Sequence, residues 1–156
     1  MVEMALILPF LLMFVLGVVE TGYYVYIYSA LENSTRRASE RASKVPPLDP
    51  RNPNAPSDQC AQFAELDAIK GVFLGRLQPS NITFFFPPVV EPDGTSRPGQ
   101  RQVGDQIEVA INYRGTFLTP FGERMFGDFL QFQFRSRRTI TSIAAPRGFN
   151  YDCSKQ

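Results

Sequence analysis

Residues 4–19, MALILPFLLMFVLGVV, form sixteen consecutive positions without a charge. As a helix rising 1.5 Å per residue they extend roughly 24 Å, short of a bilayer core of about 30 Å. Glu20, Thr21 and Gly22 interrupt the run, and YYVYIYSAL then carries the apolar character on to Leu31. That continuation brings the length to about 42 Å, which is ample for a span. Tyr23, Tyr24, Tyr26 and Tyr28 fit the membrane–water interface, where an aromatic ring with a polar tip is most at home. Past Leu31 the pattern turns amphipathic, ENSTRRASERASK, and stops before Pro46 and Pro47, because a residue preceding proline avoids helical dihedrals. The pattern predicts one helix from about Val2 to Lys44, apolar over its first half.

Three readings of this segment compete. A secretory signal fits poorly: no basic region precedes the run, Glu3 stands where Lys or Arg belongs, and no A-x-A site follows. A plain single-pass anchor does not explain the acids. A carboxylate at the bilayer centre costs about 2.5–3.5 kcal/mol on insertion scales, so intramembrane acids usually have a partner or a function. Pro9 removes a helical hydrogen bond and favours a kink. Acid, proline and a switch from apolar to amphipathic suit the third reading, a helix that packs against copies of itself.

The residues of this segment resemble the N-terminal region of TadE-like proteins, pilins or pseudopilins of the tight-adherence (Tad/Flp) branch of type IV filaments. The positions that carry the resemblance are Glu3, the Ala5–Leu6 pair, Pro9, the Gly17-x-x-Glu20-x-Gly22 motif, the aromatic stretch 23–28 and the Ala/Arg-rich stretch 36–42. A less specific likeness continues in Ile107, Val109, Ile111 and Tyr113, a hinge at Leu118, Thr119 and Pro120, and a Thr- and Arg-rich final strand over 132–142. The resemblance implies subunit–subunit contacts through Glu3, Pro9, Gly17, Glu20 and Gly22. In such filaments the first acid pairs with the N-terminal amine of a neighbouring subunit, which makes a buried carboxylate tolerable; Glu3 is the candidate. A peptidase there cuts after a Gly and leaves the Glu fifth. Glu3 has two residues before it and no Gly, so the resemblance implies either an upstream leader or a start at Met1 without processing.

The whole chain of 156 residues carries 16 Lys and Arg against 15 Asp and Glu, with no His and no Trp. Near-zero net charge argues against a nucleic-acid binder, which needs excess cations to displace phosphate counterions. Without His there is no imidazole base, no Ser-His or Cys-His pair, and few routes to a zinc site. No G-x-S-x-G and no P-loop glycine pattern occurs either. The sequence therefore predicts no enzyme, no metal and no cofactor.

Residues 45–59, VPPLDPRNPNAPSDQ, hold five prolines and read as a semi-rigid linker between the helix (1–44) and a globular domain (60–156). In 60–77, Phe63, Leu66, Ile69 or Lys70, Phe73 and Leu77 recur at helical spacing, which predicts a helix of about 17 residues packed on a sheet. Ile82, Phe84 and Phe86 alternate with Thr83 and Phe85. Ile107, Val109, Ile111 and Tyr113 alternate with Glu108, Asn112 and Arg114. Phe132, Phe134 and Ile140 oppose Gln131, Gln133, Arg135, Arg137 and Thr139. A turn-rich loop spans 91–102 and a short helix falls within 120–130. The fold class is α+β: a long N-terminal hydrophobic helix, then a small antiparallel sheet with one packed helix, as in type IV pilins.

Arg135, Arg137, Arg138 and Arg147 form a candidate basic patch, read either as a solvated strand face that resists edge pairing or as a site for an anionic surface. The sequons at Asn33 and Asn81 carry no weight alone. Cys60 and Cys153 bracket the domain; in an oxidising compartment a disulfide closing nearly 100 residues gains about 4–5 kcal/mol in the chain-entropy model, and two separate thiols are the alternative. Topology is in tension. Arg36, Arg37, Arg41 and Lys44 follow the apolar run and by the positive-inside rule belong in the cytoplasm, whereas the cysteines and the resemblance place that side outside.

The leading expectation is a structural pilin, major or minor. It is held in the bacterial inner membrane by a single pass with its domain outside the cytoplasm. It then joins a helical filament with itself or other pilins, served by the Tad assembly machinery and a prepilin peptidase. The alternative is a membrane-anchored periplasmic binding or adhesion module that never polymerises.

Overall fold

The computed structural model describes residues 2–48, 58–72, 77–126 and 130–143. The predicted first helix is present with the expected bounds: α1 runs Val2–Lys44, 43 residues with Pro9 inside it, about 64 Å of helix. Its two halves live in different surroundings. Ile7, Leu8, Phe10, Leu11, Leu12, Met13, Phe14, Val15, Val18 and Val19 are all 46–71% exposed, whereas Ile27, Leu31, Ala38 and Ala42 are fully buried.

The buried half lies on a three-stranded antiparallel sheet ordered β1 (Ile82–Phe85), β4 (Gln106–Gly115), β5 (Leu130–Thr139). Alternation in β4 buries Ile107, Val109, Ile111 and Tyr113 against the helix, as a period of two requires when one sheet face is covered. The register aligns Phe84 with Val109 and Ile111 with Phe134. The end of α1 is stitched to the chain after β5, where the Thr141 N–H donates to the Ser43 carbonyl at 2.8 Å. The α+β architecture matches the expectation from sequence.

The second helix differs from expectation in length, face and partner. α2 covers Gln59–Lys70, twelve residues rather than about 17. Asp58 caps it, accepting from the Ala61 N–H at 3.0 Å and from the Leu48 N–H at 2.9 Å. Its buried face is Cys60, Ala61, Ala64, Glu65 and Ala68, while Leu66 is 52% exposed and Phe63 and Ile69 are half-buried. The main packing partner of α2 is α1, so α1 is sandwiched between α2 and the sheet. The reason is close approach: a Cβ on Gly71 would land on the Ser34 hydroxyl, and only small side chains fit at such a crossing. Phe73 falls outside the described residues, and Leu77 is buried.

The loop read over 91–102 contains a short hairpin, β2 (Val89–Val90) and β3 (Ser96–Arg97), turning at Gly94 with φ of 82°, a dihedral that costs glycine little. Arg97 clamps it to the start of β4, donating to both oxygens of Asp105 at 2.8 and 2.6 Å. The guanidinium holds the Asp105 carboxyl below the usual carboxylate range. A third helix, α3, covers Pro120–Phe126, inside the expected segment.

Candidate functional site

The site is the stretch of α1 where exposure ends. Along one face, Glu20, Tyr24, Ile27, Leu31, Thr35 and Ala38 recur three or four residues apart, which places them in one stripe. The lower part of that face meets β5 and the segment just after β4 through aromatic rings. Tyr24 sits edge-on to Phe117 at 5.4 Å and Tyr28 to Phe134 at 4.9 Å between ring centroids, a geometry that matches ring edges to ring faces. Tyr24 is half-buried in this cluster, whereas Tyr28, at 51%, and Tyr26, at 42%, keep exposed faces.

Glu20 is the lowest member of the stripe and is only 7% exposed. One carboxylate oxygen accepts the Leu118 N–H at 2.7 Å, and the other accepts the Thr119 hydroxyl at 3.1 Å. The Tyr24 hydroxyl approaches at 3.4 Å. The partners lie 98 and 99 positions away, in the connection between β4 and α3. Thr119 Oγ1 in turn accepts the Gly122 N–H at 3.2 Å, closing the first turn of α3. The acid in the apolar segment is thus hydrogen-bonded inside its own chain, which lowers the penalty of a desolvated carboxylate. Sequence reading singled out Glu20 and, separately, the Leu118-Thr119-Pro120 hinge, but nothing local links them. Beside this junction is a cleft of about 310 Å³ lined by Leu16, Gly17, Glu20, Tyr24, Phe117 and Leu130, among others.

The other predicted contact residues lie along the exposed half. Glu3 is within α1, and its side chain is outside the described residues. Pro9 is exposed in the helix. Gly17 and Gly22 face open space, with nothing within 4 Å of where a Cβ would stand. Their subunit-contact role therefore stays an expectation. Of the basic residues, Arg137 and Arg135 flank Glu108 at 2.8 and 3.7 Å, Arg138 is exposed on β5, and Arg147 lies outside the described residues. Cys60 is fully buried; Cys153 lies outside the described residues, so the expected 60–153 disulfide is not among the bonds described. Among the described residues no cluster of three or more His, Cys, Asp and Glu could hold a metal.

Glu65 has a different electrostatic situation. It is 4% exposed on α2, and its Oε1 has no hydrogen-bond partner. Burial first, and then the charge of Asp58, pushes this carboxyl up to about 7.

α1 is long and apolar enough to cross a membrane by length and composition, which suggests a membrane anchor. No curated protein and no solved structure matches the sequence at a significant level. Residues 1–40, the quarter of the chain that holds the exposed apolar run and Glu20, match the family model described as TadE-like protein, and the N-terminal helix carries that family's signature.

Proposed function

We propose that the chain is a structural subunit, major or minor, of a Tad/Flp-like type IV pilus that polymerises through its N-terminal helix. The observation that carries this is the ten large apolar side chains of 7–19, each about half exposed. Covering them is worth on the order of 10 kcal/mol, comparable to the whole stability of a small domain. Lipid supplies that cover before assembly, and neighbouring copies of α1 supply it in the filament. The TadE-like match over 1–40 supports the same reading, as does a structural rather than enzymatic role for a chain without His.

The domain lies outside the cytoplasm in this reading. The basic residues that argue otherwise belong to the folded body: Arg36 pairs with Glu32, Arg41 with Asp67 and Lys44 with Glu40. Orientation rules count cations within about 15–20 residues of the span; Arg36 and Arg37 stand inside that window, Arg41 and Lys44 beyond it. In an oxidising compartment Cys60 pairs with Cys153. Other pilins, the assembly machinery and a prepilin peptidase are the partners. Sheared surface filaments, imaged by electron microscopy and digested for mass spectrometry, should contain peptides of this chain, and Glu3→Ala should abolish them. Filaments that lack this chain, or that assemble unchanged with Glu3→Ala, would favour an anchored module that does not polymerise.

A further inference from the structure

Where the span ends is decided by Glu20. The helix from Val2 through Val19 is eighteen residues, about 27 Å, close to the roughly 30 Å of a bilayer core. Beyond that point α1 is no longer free on all sides, because the β4–α3 connection is bonded to Glu20 itself. The base of the domain therefore stands at the same level as the end of the apolar run.

Two leucines at that base are only partly covered. Leu118, whose N–H is bonded to Glu20, is 55% exposed, and Leu130, which opens β5 and lines the adjoining cleft, is 37% exposed. The polar groups of the junction itself are paired, while Glu123 and Arg124 on α3 are exposed to the headgroup side or to water. Both Glu20 oxygens are occupied, the Thr21 hydroxyl donates to the Gly17 carbonyl at 2.8 Å, and the Thr119 hydroxyl donates to Glu20. Exposed leucines beside a junction whose polar groups are paired lose little by leaving water, and charged side chains next to them suit the headgroup level.

We propose that the β4–α3 connection and the start of β5 rest in the bilayer interface through Leu118 and Leu130, so that the domain itself sets the depth of the anchor. The partner is a lipid surface, continuous with the lipid around 7–19, and the proposal rests on α1 spanning the membrane before assembly. The opposite end of β4, ten residues and about 33 Å away, lies clear of it.

The chain has no Trp, so single tryptophans report position without background. Val15→Trp, Leu118→Trp and Val90→Trp are placed in the full chain, reconstituted in phosphatidylcholine vesicles carrying lipids brominated either near the headgroup or near the chain end. Val15→Trp should be quenched by the deep bromines. Leu118→Trp should emit at shorter wavelength than Val90→Trp on the distal hairpin and be quenched by the shallow bromines, with Leu130→Trp behaving alike; Val90→Trp should be unquenched. Quenching of Val15→Trp with Leu118→Trp and Leu130→Trp as unquenched as Val90→Trp overturns the proposal and leaves the span intact. An unquenched Val15→Trp overturns the span and the proposal together.

Discussion

Removing the Glu20 carboxylate should loosen the domain from the helix by an amount the geometry sets. Its two short bonds, 2.7 Å to the Leu118 N–H and 3.1 Å to the Thr119 hydroxyl, are charge-assisted and sit at a group only 7% exposed. Each such bond is worth about 1.5–3 kcal/mol, and a buried N–H left without an acceptor costs about 1–3 kcal/mol. Glu20→Ala should therefore destabilise the domain by about 3 kcal/mol. Glu20→Gln keeps one acceptor oxygen and loses the charge, at about 1 kcal/mol. A stability change of 3 kcal/mol in a chain of this size lowers Tm by roughly 6–12 °C. The measurement is thermal unfolding of the detergent-solubilised full chain, followed by near-ultraviolet dichroism of the Tyr24, Tyr28, Phe117, Phe132 and Phe134 cluster. Thr119→Val also removes the hydroxyl that accepts from Gly122, so a double-mutant cycle is needed to separate the two effects. The cycle should return a coupling near 1 kcal/mol. Additivity to within about 0.5 kcal/mol would refute the junction. So would Glu20→Ala if it abolished filaments while leaving monomer stability unchanged, for Glu20 would then act between subunits.

Other outcomes follow from the same structure. Glu65, held at about 7 in the fold, binds its proton more tightly folded than unfolded, where its ordinary value is about 4.3. The folded state therefore loses stability as pH rises from about 4.3 through 7. Glu65→Gln should stabilise at pH 8, on the order of 2 kcal/mol, and change little at pH 4.5; an equal effect at both values would count against it. Gly71→Ala puts a methyl onto the Ser34 hydroxyl and should cost about 1–3 kcal/mol. Ser34→Ala removes a buried hydroxyl with no partner and should be neutral or stabilising, and the pair should recover most of the loss in denaturant melts. Non-reducing peptide mapping of protein taken from the cell surface should yield Cys60 cross-linked to Cys153, a bridge worth about 4–5 kcal/mol in the chain-entropy model. Two alkylated thiols would rule it out.

Much of the architecture is legible in short-range pattern. The bounds of α1 follow from an uninterrupted apolar and then amphipathic run ended by Pro46 and Pro47, and the buried residues of β1 and β4 follow from strict alternation. Pattern fails where packing needs small residues. The helical spacing of Phe63, Leu66 and Ile69 marks the apolar face of α2, yet the crossing with α1 selects Ala61, Ala64 and Ala68. Alanine carries too little hydrophobic signal to reveal that choice. The β2–β3 hairpin was hidden for a related reason: strands of two residues are too short for a period to show.

By itself the sequence determined the long helix, the strands and the TadE-like segment, because each is written in neighbouring residues that share a helix face or a pleat. Only the tertiary structure decided what the acid at position 20 does and where the free helix ends. Its partners are 98 and 99 residues away, and a carboxylate is drawn to whichever donors the folded chain brings within hydrogen-bond reach. No local spacing encodes that meeting. It depends on β4 running back along α1 and delivering Leu118 and Thr119 to the level of Glu20.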